Sequence, residues 1–202
     1  MTFEELRIAA QKIYKEVLTA EEERKNDKTI ERLAELYNEA YVDEKRRERD
    51  TEFREFVAER ADALKATAVS VIAEKRLTVE KMLVTPPTPE QLNLLTAIQL
   101  RGADVSKTEF YNLVAQLTPN YQAAKTLQAL AEKSGAHITL PERCDYEDLK
   151  AHLDWTENYL NERIHSLRNF TTTRALHPFD RLFFGEGWRD PHYDTHAVAL
   201  FD

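Results

Sequence analysis

The residues with the sharpest chemical potential in this 202-residue chain lie in HYDTH (192–196). In an extended stretch alternate side chains share a face, so His192, Asp194 and His196 would project together. Two imidazoles and a carboxylate form a ligand set for zinc or another divalent ion, and His177 with Asp180 of HPFD would complete the shell. The plainer reading of the same residues is a polar C-terminal tail, and a divalent metal is the one cofactor the sequence suggests. Nucleophilic chemistry has less behind it. Cys144 is the single cysteine, which rules out an intrachain disulfide and a cysteine zinc cage, and it has no histidine base near it in sequence. The glycine-rich phosphate loops, the GxSxG elbow and the HExxH pair are absent, so no catalytic residue is assigned and a non-enzymatic protein is expected.

The elements that must position these residues follow from where the helix breakers fall. The chain has 4 glycines and 7 prolines, and none lies before Pro86. Thr2 with Glu5 is a capping box, and Phe3, Leu6, Ala9/Ala10, Ile13 and Val17 recur at helical spacing, predicting a first helix to about Lys25. The stripe lapses in EEERKNDK (21–28), where Asn26 and Asp27 can end one helix and cap the next. It resumes at Ile30, Leu33, Tyr37 and Tyr41. A second lapse, DEKRRERDTE (43–52), holds nine charges in ten residues; Asp43/Arg47 and Asp50/Arg54 stand at i,i+4 and suit an exposed helix.

From Phe53 the stripe runs Phe53, Val57, Ala61, Leu64, Ala68, Val71/Ile72, Val79 and Met82/Leu83, with alanines that let a neighbour approach closely. ATAVSVIA (66–73) is apolar nearly all round, as in a helix surrounded by partners. The neighbours are either other parts of the chain or other copies. In the second case Phe53, Val57, Leu64 and Val71 are the contact residues of an oligomeric helical arm. The proline-rich TPPTPE (85–90) marks a boundary. Beyond it Thr88-Pro89 opens a helix closed by Gly102, the Ser106/Glu109 capping box opens another to Leu117, and Thr118-Pro119 opens a third ending at Gly135. Their expected core includes Leu92, Leu95, Ile98, Val105, Phe110, Leu113, Val114, Leu117, Tyr121, Ala124, Leu127 and Leu130. After HITLP (137–141), Asp145 and Asp148 cap a helix carrying Leu149, Leu153, Tyr159/Leu160, Ile164 and Leu167.

Two local resemblances lie in this middle region. RGADVSKTEFYNLV (101–114) resembles the turn and second helix of a TetR-type helix-turn-helix, with a turn one residue longer; Lys107, Thr108, Asn112 and Gln116 would then face DNA. LRGADVSKTEFYNLVAQLTPNYQAAKTLQALAEKSG (100–135) resembles a helical module of uncharacterised phage and prophage proteins, through Ser106, Glu109, Asn120, Tyr121, Ala124, Leu127, Ala131 and Gly135. That resemblance implies a virion-assembly or structural setting and carries no catalytic residue.

Together these readings predict an all-α chain: long charged amphipathic helices over 1–85 (a helical arm or coiled coil), a compact multi-helix unit over 86–169, and an irregular aromatic tail over 170–202. In that tail Phe183, Phe184 and Trp188 are docking anchors. A net charge of −8, from 28 Lys+Arg against 36 Asp+Glu, argues against nucleic acid as the partner. No apolar run approaches the ~20 residues that span a bilayer. The N-terminus reads as a capped helix rather than a signal sequence, so the host cytoplasm or the virion is the expected location. The function this favours is a non-enzymatic structural or assembly protein that forms homo-oligomers. A metal-dependent activity at His192, Asp194 and His196 and a DNA-binding regulator are the alternatives.

Overall fold

A computed structural model describes residues 2–118, 120–141, 145–169 and 201. Among them the chain is all-α, with helices α1 (Phe3–Asn26), α2 (Thr29–Leu36), α3 (Glu39–Val84), α4 (Pro89–Arg101), α5 (Lys107–Leu117), α6 (Tyr121–Lys133) and α7 (Tyr146–Arg168). A 3-10 turn, Gly102–Asp104, joins α4 to α5, and there is no strand among the described residues. None of the described helices is long and apolar enough to cross a membrane. The chain divides into two compact units. One is built on Met1–Ile72 with residues 156–169, the other on Ala73–Trp155 with Phe201, and α3 and α7 contribute a segment to each. TPPTPE (85–90), expected as a domain boundary, lies inside the second unit, where 85–88 connects α3 to α4 and Pro89 begins α4.

In the first unit the helix ends follow local chemistry. The Thr2 hydroxyl accepts from Glu5 N–H at 3.0 Å while Thr2 N–H donates to Glu5 Oε2 at 2.8 Å, the reciprocal pair of a capping box. Asp27 ends α1, and its carboxylate accepts from the Thr29 N–H at 2.9 Å. The stripe Ile30, Leu33, Tyr37 and Tyr41 is divided at Asn38, whose Oδ1 accepts from the Tyr41 N–H at 3.0 Å at the start of α3. The charged gap at 43–52 is helical, inside the 46-residue α3. Its ion pairs differ from those expected. Asp43 meets Arg46 at 2.8 Å and Lys45 meets Glu48 at 2.6 Å, both at i,i+3, while Asp50 leaves its own helix for Arg24 at 2.6 Å.

α1 and this part of α3 run antiparallel. Arg24 pairs with Asp50 and its guanidinium lies 4.7 Å from the Phe53 ring centroid, while Glu16 pairs with Arg60 at 2.9 Å. Between these contacts Leu6, Ala10, Val17, Val57, Ala61 and Leu64 are buried, and Leu160, Ile164 and Leu167 of α7 are buried in the same unit. Arg168 reaches Asp62 at 2.5 Å. The segment 66–73 is not enclosed on all sides: Ala68, Val71 and Ile72 are buried, but Val69 is exposed.

The second unit closes around Phe110. Leu95, Ile98, Val105, Val114, Leu117, Ala123, Ala124, Leu127, Ala131, Ile138 and Leu140 form one buried cluster with it, drawn from α4, α5, α6 and the segment after α6. Residues 137–141 do not form a strand, yet Ile138 is fully buried; the Gln128 Nε2 donates to its carbonyl at 3.1 Å and removes the cost of an unpaired acceptor. α7 enters beside them, burying Leu149 and Leu153, with Arg76 and Asp154 paired at 2.6 Å.

Candidate functional site

The motif residues of 100–135 each have a place in the second unit. Ser106 and Glu109 form a reciprocal cap: Glu109 N–H donates to the Ser106 hydroxyl at 3.3 Å, and Ser106 N–H donates to Glu109 Oε2 at 2.9 Å. Arg101 closes on the other Glu109 oxygen at 2.9 Å. The Arg101 hydrogen bond, followed by those from Ser106, holds the Glu109 carboxyl down to about 2 from an ordinary 4.5. Gly102 and Gly135 take φ of +53° and +74°, conformations that suit glycine at helix ends. Ala124, Leu127 and Ala131 are buried at 0% exposure along the core face of α6.

Asn120 does more than the sequence reading assigned to it. The helix expected to open at Thr118-Pro119 opens at Asn120, whose Oδ1 accepts from Ala123 N–H at 2.9 Å. Thr118 instead ends α5, its N–H donating to Val114. The Asn120 amide nitrogen meanwhile donates to Thr85 O at 3.2 Å and Pro86 O at 2.9 Å, and Gln122 donates to Leu83 O. Carbonyls at the end of a helix have no partner within it, so α6 supplies donors where α3 runs out. From α4, Gln91 Nε2 donates to Leu117 O at 3.1 Å in the same way.

Lys125 and Asp145 join α6 to α7. They pair at 2.9 Å, and Asp145 also accepts from Glu147 N–H at 3.0 Å. Burial pushes the Asp145 carboxyl up, but the Lys125 and backbone hydrogen bonds outweigh it and leave it below the usual range; burial likewise opposes charge on Lys125, and Asp145 more than offsets it. Tyr121 packs against Tyr146 with ring centroids 6.0 Å apart. These are caps and ties of the framework, assembled from groups that would otherwise titrate at ordinary values.

What the framework leaves open is apolar surface. In the first unit α2 buries no residue; Leu36 is 75% exposed, and Tyr37 and Tyr41 are exposed with ring centroids 4.8 Å apart. In the second unit Leu92, expected in the core, is 50% exposed and Leu100 is 82% exposed. The core-facing edge of α4 is Leu95 and Ile98 with Leu94 beside them, so Leu92, Thr96 and Leu100, at i, i+4 and i+8, lie on a second, outward stripe. The signal that marks this stripe in the sequence is a run of ten uncharged residues, Gln91–Leu100, in a chain with 32% charged residues.

The residues expected to contact other copies from α3 have a different fate. Phe53, Val57, Leu64 and Val71 are buried within the first unit, because α1 and the end of α7 already occupy that side of α3. The helix-turn-helix-like residues Lys107, Thr108, Asn112 and Gln116 are exposed on α5, with Lys107 Nζ 6.0 Å from the Tyr111 ring centroid. Phe183, Phe184, Trp188, His192, Asp194 and His196, with His177, Asp180 and Cys144, lie outside the described residues. Among the described residues no group of three or more His, Cys, Asp and Glu is placed to hold a metal ion. Among the described residues one buried acid stands out: Glu21 pairs through Oε1 with Lys25 at 3.0 Å, and its buried Oε2 has no hydrogen-bond partner among them. No family model, curated protein or solved structure matches the chain.

Proposed function

We propose that this chain is a non-enzymatic structural or assembly protein that works through helix-mediated protein contacts as a homo-oligomer. The setting we propose is the phage or prophage one that residues 100–135 resemble. The observation that carries the reading is the apolar surface left open on well-formed helices: Leu36, Tyr37 and Tyr41 around α2, and Leu92 and Leu100 on α4. Isolated exposed leucines are ordinary, but apolar residues that recur at helical spacing on an outward face are what a partner helix would cover. The shifted titratable groups add support, since Glu109, Asp145 and Lys125 are engaged in caps and ion pairs that hold helices together. Phe183, Phe184 and Trp188 belong to the proposal as further anchors. Multi-angle light scattering on the intact chain at micromolar concentration tests it: an oligomer is expected, and a monomer at every concentration overturns it.

A further inference from the structure

We propose that the cleft between the end of α3 and the first half of α7 binds a small zwitterion, of the size and charge of glycine or alanine, between Lys150 and Glu80. The cleft lies wholly within the second unit and has a volume of about 110 Å³. Its floor is apolar, since Val79 and Leu153 line it and both are buried. Its walls carry charge in an alternating order. Arg76 of α3 pairs with Asp154 of α7 at 2.6 Å. Four residues further along α3 stands Glu80, and four residues back along α7 stands Lys150, so the next rung has the reverse polarity and lines the same cleft. That rung is open: among the described residues neither Glu80 nor Lys150 has an ion pair or hydrogen bond to another.

The chemistry of the open rung selects the ligand. A lysine ammonium only donates and a glutamate carboxylate only accepts, so a molecule that bridges them brings a carboxylate to Lys150 and an ammonium to Glu80. Two cations and two anions line the cleft, which leaves it without net charge. A lone anion or a lone cation therefore gains at one wall what it loses at the other, whereas a zwitterion gains at both. Size sets the rest. At roughly 30 Å³ per water the cleft has room for about three or four waters, which suits glycine or alanine, with the methyl group of alanine over Val79 and Leu153. Tyr146, whose ring packs on Tyr121 with centroids 6.0 Å apart, stands one turn before Lys150 and lines the same cleft.

Titration of the isotope-labelled intact chain with L-alanine, followed through its amide NMR signals, tests the site. Saturable shifts centred on residues 76–80 and 146–154 are expected at about millimolar concentration. Acetate and ethylammonium each carry one of the two charges, and at equal concentration they are expected to shift the same amides at least about fivefold less. Glu80→Gln and Lys150→Gln, both at exposed positions, should keep the wild-type circular dichroism and each weaken binding about tenfold, while Lys133→Gln at the end of α6 leaves it unchanged. No saturable shift up to about 50 mM L-alanine, an equal response to acetate alone, or undiminished binding by either charge-removing variant overturns the proposal and leaves the rung to water. The readout does not depend on oligomeric state, so the site and the homo-oligomer reading stand or fall separately.

Discussion

The Asn120 amide nitrogen donates to the Pro86 carbonyl at 2.9 Å, across 34 positions of sequence, while its oxygen caps α6. One side chain thus begins a helix and fixes the proline-containing connection that follows another. Within the connection at 85–88, the Thr85 and Pro86 carbonyls are met by the Asn120 amide and the Thr88 carbonyl by the Leu92 N–H of α4.

Asn120→Asp separates the two roles. The aspartate retains an acceptor for Ala123 N–H and is a good cap, but it has no donor for Thr85 O and Pro86 O. It is expected to lose about 1–2 kcal/mol in urea unfolding, and Asn120→Ala, which removes the cap as well, about 2–3 kcal/mol. Equal stability of Asn120→Asp and wild type would contradict the bridging role.

Glu109 gives a pH signature. Its carboxyl is held at about 2 in the folded chain against an ordinary 4.5, chiefly by Arg101, so the depressed value marks stability that is fully present above about 4.5. That stability is lost as pH falls from 4.5 toward 2. A carboxyl-carbon NMR titration should place the Glu109 midpoint near 2, and Arg101→Met should move it up toward 4.5. A wild-type midpoint at the ordinary value would contradict the paired cap.

Phe110 and Leu92 separate core from surface. Phe110→Ala, in the centre of the second unit, is expected to cost about 3–5 kcal/mol. Leu92→Ala should stay within about 0.5 kcal/mol in monomeric conditions, because half of the residue is already in solvent. Chemical denaturation of both variants checks the pair, and comparable losses would return Leu92 to the core.

The contrast shows what sequence spacing can and cannot carry. Caps are local chemistry, so Ser106 with Glu109 and the end of α1 near Asn26 are legible from neighbouring residues alone. The buried run Phe53, Val57, Ala61, Leu64, Ala68 and Val71 is legible from its three-and-four spacing, but spacing says only that a face is covered. That α1 and α7 do the covering depends on contacts such as Arg24 with Asp50 and Arg168 with Asp62, which join residues 26 and 106 positions apart. α4 is ambiguous for a related reason: leucines at 92, 94, 95 and 100 fit two stripes, and the choice between them is made by the neighbours that Leu95 and Ile98 find. Thr118 and Asn120 are both capping types two residues apart; the Thr118 hydroxyl donates back to Ala115 O, whereas the Asn120 amide reaches Thr85 O and Pro86 O. The His192, Asp194 and His196 trio lies outside the described residues, so it stays where its spacing put it, as an alternative.

Sedimentation velocity of the intact wild-type chain, across the micromolar range, decides whether the protein self-associates. A homo-oligomer gives a concentration-dependent species of at least twice 23.5 kDa. A single species of 23.5 kDa at every concentration would contradict it.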